Sequence, residues 1–158
     1  MLVISNSSPI IHLTKIGRLE LLKNLYGQIL VPTKVYSECT DTTSYRAETH
    51  YISSATWISI VQIENLKLFN LLYSEIDAGE AEAIVLSLER SADLVLLDDM
   101  EARMKARRLE LRIAGTLGVL LKAKKSGLVQ TLPAEIQKLE ESGFWMSSNI
   151  KDKILNQS

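Results

Sequence analysis

Cysteine is nearly missing: Cys39 is the one thiol in 158 residues. An intramolecular disulfide is therefore impossible, a cysteine-rich zinc site is excluded, and the reducing cytoplasm is the expected compartment. Cys39 itself reads as a small, half-buried hydrophobe. Long apolar runs are missing as well. None exceeds four residues, as in Met1–Ile4 and Leu94–Leu97, whereas a bilayer span needs about 20. The chain is thus not expected to cross a membrane. The opening MLVIS lacks a basic n-region and leads straight into a turn, so a strand is expected there rather than a signal peptide.

Other absences concern chemistry. No serine sits in a nucleophile elbow and no glycine-rich loop is built to cradle phosphates, which argues against hydrolases and nucleotide binders that use those devices. His12 and His50 fall in no metal-binding pair and have no cysteine partner, so both read as structural or surface residues. No repeat, low-complexity tract or long linker divides the chain. One domain over residues 1–158 is expected, with about 130–158 as a C-terminal helical extension. A chain of this length can remove roughly 70% of its unfolded surface from water, enough for a core without staples.

What is present is an ordinary globular composition, 46% hydrophobic and 23% charged, with 18 bases against 19 acids, but the charge is unevenly placed. Residues 75–101 hold nine acids and one base, Arg90; residues 103–125 hold eight bases and one acid, Glu110. A metal-dependent enzyme acting on a polyanion needs both signs, carboxylates for the cation and cations for the phosphates. Two solvated helix faces would give the same pattern.

Short apolar runs alternate with helical stripes. Leu2–Ser5 reads as a strand ending at Asn6, and Ser8-Pro9 as a helix start, with the serine as cap and proline in the first helical position. Helical pieces to Gly17 and Gly27, a strand at Gln28–Val31 and a helix opening at Pro32-Thr33 follow. Thr40–Ser44 reads as a loop and Tyr45–Ile52 as a short helix. Trp57–Ile63 is strand-like and Lys67–Tyr73 helical. Asp77-Ala78-Gly79 reads as a turn before a helix from Glu80, in which Ala81, Ile84, Val85 and Leu88 form a core-facing stripe. Leu94–Leu97 is a buried strand, and a basic helix follows from Met100. After it come a short strand at Arg112–Ala114 and helices from Leu117 and Pro133. The alternation predicts a three-layer α/β/α sandwich around a mainly parallel sheet.

Ligands of such sheets bind beyond the strands' carboxyl ends. Reading those ends gives Asn6 and Asp98-Asp99, with Glu38 and Glu80 on neighbouring helices. Oxygen donors on separate segments suit Mg2+ or Mn2+. Taken singly, each acid also fits a helix cap, a first-turn acid or a surface charge.

Five segments, SNSSPIIHLTKIGRLELL, VPTKVYSEC, GEAEAIVLSLE, LVLLDDMEARMKA and GTLGVLLKAKKSGLV, resemble in order and spacing the PIN-domain superfamily, most nearly its VapC-like prokaryotic branch. The resemblance covers residues 1 to about 130. It implies a PIN-like fold and a metal-dependent ribonuclease, the toxin of a toxin–antitoxin pair, with an antitoxin protein and a second copy of the chain as partners. The family's four acids fall on Asn6, Glu38, Glu80 and Asp98. Glu82 and Asp99 are rival assignments: Glu82 points to another helix face than Glu80, and Asp99 is placed to cap the next helix. The implied metal ligands are Asn6, Glu80, Asp98 and Asp99, with Glu38 reaching the metal directly or through water. Ser8 is expected to cap its helix or to bond Asn6 or a phosphate. Arg103, Arg107 and Arg108 would guide the RNA backbone. Asn6 departs from the family's aspartate, which keeps an oxygen ligand and removes a charge. The alternative is therefore a weak or inactive PIN-like module that binds RNA or a protein partner.

Overall fold

The computed structural model describes residues 1–41 and 48–157. Its elements are β1 (Val3–Ser5), α1 (Ser7–Lys15), α2 (Glu20–Tyr26), β2 (Ile29–Pro32), α3 (Thr33–Cys39), α4 (Glu48–Ser53), β3 (Ile58–Val61) and α5 (Leu66–Tyr73), followed by α6 (Ala78–Glu89), β4 (Leu94–Leu96), α7 (Met100–Arg108), β5 (Ile113–Ala114), α8 (Thr116–Lys125), α9 (Leu132–Glu141) and α10 (Ser148–Asn156). Most of the loop expected at Thr40–Ser44 and the start of the helix expected at Tyr45 lie outside the described residues.

The strands form one sheet in the order β3-β2-β1-β4-β5, and every pairing is parallel. The period-two alternation of side chains sends successive residues to opposite faces. Val3, Ile29, Val31 and Leu96 enter a core with Ile10, Leu13, Leu22, Val119, Leu120, Leu132 and Ile136. Ile4, Val95 and Leu97 enter another with Leu72, Ile84, Val85, Ala102 and Ala106. Helices α1–α4, α8 and α9 thus cover one face and α5–α7 the other, which is the expected three-layer sandwich. Connections running toward β3 put helices on one face and those running toward β5 put them on the other, as crossovers of a single hand require.

At the C-terminus, Phe144, Met146, Ile154 and Leu155 pack against the first core. Among the described residues no helix is long and apolar enough to cross a membrane.

Three local expectations change. Asn6, not Ser8, is the N-cap of α1; proline is tolerated later in the first turn because none of the first four N–H groups has a helical partner to lose. Asp77 caps α6 and accepts from Glu80 N at 2.9 Å, so Gly79 lies inside the helix rather than in a turn before it. Cys39 is fully buried at the end of α3 rather than half-buried.

Candidate active site

The strand order reverses between β1 and β4, where one chain direction leads off to β2 and the other to β5. That switch point is where parallel sheets leave a crevice, and here Asn6 follows β1 and Asp98 follows β4. Asn6 N donates to Leu96 O at 3.0 Å, which ties the two strand ends together.

Asn6 is 4% exposed, and its side-chain Oδ1 is buried with no hydrogen-bond partner. Buried polar atoms are rarely left so, because an unmade bond costs about 1–3 kcal/mol. The next two residues reach outward to the acids. Ser7 Oγ donates to Glu38 Oε2 at 2.8 Å, and Ser8 Oγ donates to Asp98 Oδ2 at 3.0 Å. The first turn of α1 therefore spans from α3 to the end of β4, with the orphan amide oxygen beside it in the chain.

Asp98 is the most firmly held acid. Besides Ser8 it accepts from Thr116 N at 2.7 Å and from Thr116 Oγ1 at 2.6 Å, at the start of α8. Its carboxylate fits because residue 115 is glycine: a Cβ there would lie 2.8 Å from Asp98 Oδ1. Glu38 depends on a glycine in the same way, since a Cβ at Gly79 would lie 2.7 and 2.8 Å from its two oxygens.

Glu80 is 8% exposed. Burial first, and then a hydrogen bond and charge repulsion from Asp77 and repulsion from Asp99, push its pKa up to about 8. Glu38 is raised too, by burial above all; Asp77 and Glu82 add to this, while the Ser7 bond and Lys34 oppose it. Both carboxyls are thus held where burial, more than neighbouring charge, disfavours the ionised form. Asp99 caps α7 through Oδ2, accepting from Ala102 N at 3.0 Å, and still lies close enough to repel Glu80. Glu82 turns away from Glu80 and accepts from Lys34 N at 3.0 Å, fastening α6 to the start of α3.

The three arginines part company. Arg103 is half-buried and donates to Leu97 O at 2.7 Å, bracing the end of β4 beside Asp98. One of its five N–H donors is thereby engaged by that carbonyl. Arg107 is exposed and close enough to Arg103 to depress its pKa. Arg108 faces α5, lining a groove with Leu71, Glu75 and Lys105. His12 is depressed by burial, with Asp98 opposing that and Lys15 adding to it, and its ring meets Phe144 edge-on at 4.9 Å. His50 lies on α4 beside Tyr51.

Sequence reading missed Ser7, Asp77, Thr116 and the two glycines. Asp77 carried a signal, an acid three residues before Glu80 in the spacing of a capping box. Gly115-Thr116, directly after a strand, carried another.

A PIN-domain family model matches residues 2–158. The chain belongs to the PIN-domain family. Neither the curated proteins nor the solved structures contain a match. The PIN fold is of nuclease type, and in this PIN domain Asn6 and Asp98 follow the adjacent strands β1 and β4 at the sheet's switch point.

A divalent cation fits the donors present. They are hard oxygens, one of them buried and unpartnered, and two of the carboxyls, Glu38 and Glu80, have pKa values raised by burial first and by neighbouring acids second. Among the described residues no three acidic, histidine or cysteine side chains form a group that could hold a metal ion.

Proposed function

We propose that this PIN domain is a Mg2+- or Mn2+-dependent endoribonuclease of the VapC-like kind, the toxin of a toxin–antitoxin pair. The observation that carries the reading is the buried, unpartnered Oδ1 of Asn6 at the sheet's switch point, next to two serines that hold Glu38 and Asp98. Asn6, Glu80 and Asp98 would hold the cation, with Asp99 at its edge and Glu38 reaching it directly or through water. The cation supplies an activated water and neutralises charge on the scissile phosphate.

The chain's own contribution is positioning. Ser8 and Thr116 fix the Asp98 carboxylate in one orientation, and Arg103 holds the backbone that carries it. Ser7 orients Glu38. Glu80, whose pKa is pushed up to about 8 by burial first, would hold the cation as a carboxylate. Arg107 is the exposed cation of α7 nearest Arg103 and serves the RNA backbone. The cytoplasm is the working compartment, and an antitoxin and a second copy of the chain are its protein partners.

A non-catalytic, RNA-binding PIN module is the second reading, favoured by one observation: Asn6 brings no charge to the metal. Cleavage of structured and single-stranded RNAs with Mn2+, with Mg2+ and with chelator, by wild type and Asp98→Asn, decides between them. Metal-dependent cleavage that disappears in the variant is expected. Equal inertness of both proteins, with RNA binding retained, would sink the nuclease and leave the module.

A further inference from the structure

The Nδ1 atom of His12 is buried and has no hydrogen-bond partner. A neutral imidazole can leave that nitrogen as a bare acceptor. The imidazolium makes it a charged donor instead, and a buried charged donor without an acceptor is the more costly of the two.

The ring meets Phe144 edge-on, with centroids 4.9 Å apart. The end of α9 places Phe144 there. Gly143 has φ +99, Gly143 N donates to Glu140 O at 3.1 Å, and Phe144 N donates to Leu139 O at 3.0 Å. This is the Schellman ending, which turns the residue after the glycine back onto the last helical turn. Beyond that point the chain is lightly held. Phe144, Met146, Ile154 and Leu155 pack on the first core only partly buried, and α10 has no fully buried residue. The ion pair of Lys151 with Glu140, 2.8 Å long, joins side chains 40% and 39% exposed, so it adds little. Residues 144–156 are therefore at the low-stability end of the fold, and a titratable ring sits against their first aromatic.

Burial is the largest effect on His12 and disfavours its charged form; Asp98, after β4, favours the charge and Lys15, on α1 itself, opposes it. Lys34 and Glu38 on α3, His50 on α4 and Lys122, Lys124 and Lys125 on α8 belong to elements packed against α1. Neither they nor Asp152 and Lys153 of α10 are among the charges that shift His12. We propose that His12 is an acid-sensitive latch for the C-terminal segment: the neutral ring seats Phe144, and the protonated ring releases it and the residues after it from the core. His12 has a pKa below the ordinary 6.5, so its contribution is complete above that value and is lost as pH falls through the lowered one. The latch goes beyond the nuclease reading and does not rest on it.

Met146 and Ile154 report on the segment, and Ile4, Ile29 and Ile84, all fully buried, report on the two cores. Protein carrying 13C in its methionine and isoleucine methyls is followed by NMR from about pH 8 to about pH 5, the range in which histidines titrate. Wild type, His12→Gln, His12→Leu and His50→Gln are compared. In wild type the Met146 and Ile154 methyls are expected to move together to the positions of solvent-exposed side chains, with a midpoint below 6.5, and to return on neutralisation. The three core methyls should stay in place. Neither His12 variant should show the transition, and His50→Gln should keep it. Should His12→Leu not fold, His12→Gln, polar and close in size, carries the comparison. The latch is overturned if the two methyls stay in place while the ring protons of His12 titrate, or if they move alike in His12→Gln. It is also overturned if the core methyls move with them, which is global acid unfolding.

Discussion

Gly115→Ala is the sharpest perturbation available, because its effect is purely steric. Residue 115 has φ −105 and ψ −176, a conformation alanine adopts without strain. The new methyl, however, would sit 2.8 Å from Asp98 Oδ1, 3.0 Å from Arg103 Nη1 and 3.4 Å from Leu97 O. Relief to an ordinary contact of about 3.4 Å requires a shift of about 0.6 Å in Asp98 or in the backbone. Either movement spoils the 2.7 Å bond from Thr116 N and the 2.6 Å bond from Thr116 Oγ1. Loss of one such charge-assisted bond costs about 1.5–3 kcal/mol, and displacement of a reacting group by this much can slow turnover up to about 100-fold. Gly118→Ala is the matched control: its methyl meets only Ala114 Cβ, at 3.6 Å, and inside α8 alanine should gain about 0.5–1 kcal/mol. Urea denaturation should therefore move the two midpoints in opposite directions, and RNA cleavage with Mn2+ should fall in Gly115→Ala alone. If Gly115→Ala matches Gly118→Ala in both assays, the carboxylate is not held as described.

Glu80 titrates near 8 in the folded chain against an ordinary 4.5, so between those values the folded state holds the extra proton and stability falls as pH rises. Glu80→Gln should accordingly melt higher than wild type at pH 8.5 in chelator and differ little below pH 4.5; a lower melting point at pH 8.5 would contradict the crowding of charge at the rim. Asn6→Asp adds a buried carboxylate to that rim, so it should lower the melting temperature of the metal-free protein at neutral pH and tighten Mn2+ binding measured by calorimetry. Unchanged values of both would remove residue 6 from the site. Arg103→Ala, which strips a bond from Leu97 O, should cost about 1–3 kcal/mol of stability, whereas Arg107→Ala should leave stability within about 0.5 kcal/mol and reduce the salt dependence of RNA affinity; the reverse pattern would refute the division of labour on α7.

The layers of the fold were legible because each depends on local periodicity. Val3 and Ile4 enter opposite cores as neighbours on a strand must, and Ala81, Ile84 and Val85 face the sheet as the helical stripe required. Element ends were less legible, since capping depends on partners that sequence does not show. Ser8 looked like the cap of α1, but its hydroxyl is drawn to Asp98, 90 residues away, and the cap position passes to Asn6. The same distinction governs the site. Asn6 and Asp98 could be placed in sequence because each directly follows a strand. Their supporting groups were harder to read: Gly115-Thr116 at least follows a strand, but Ser7, Thr116, Gly79 and Gly115 matter through the acid each one lies against, and that acid comes from a different segment of the chain. Arg103 and Arg107 are both arginines on one basic helix, four residues apart, yet one is tied to a carbonyl and the other is exposed. What separates them is depth. Arg103 stands where α7 leaves the sheet, within reach of the end of β4, and one turn further the helix has risen about 6 Å away from it. A charge run in a sequence therefore does not say which of its charges faces solvent and which holds the scaffold.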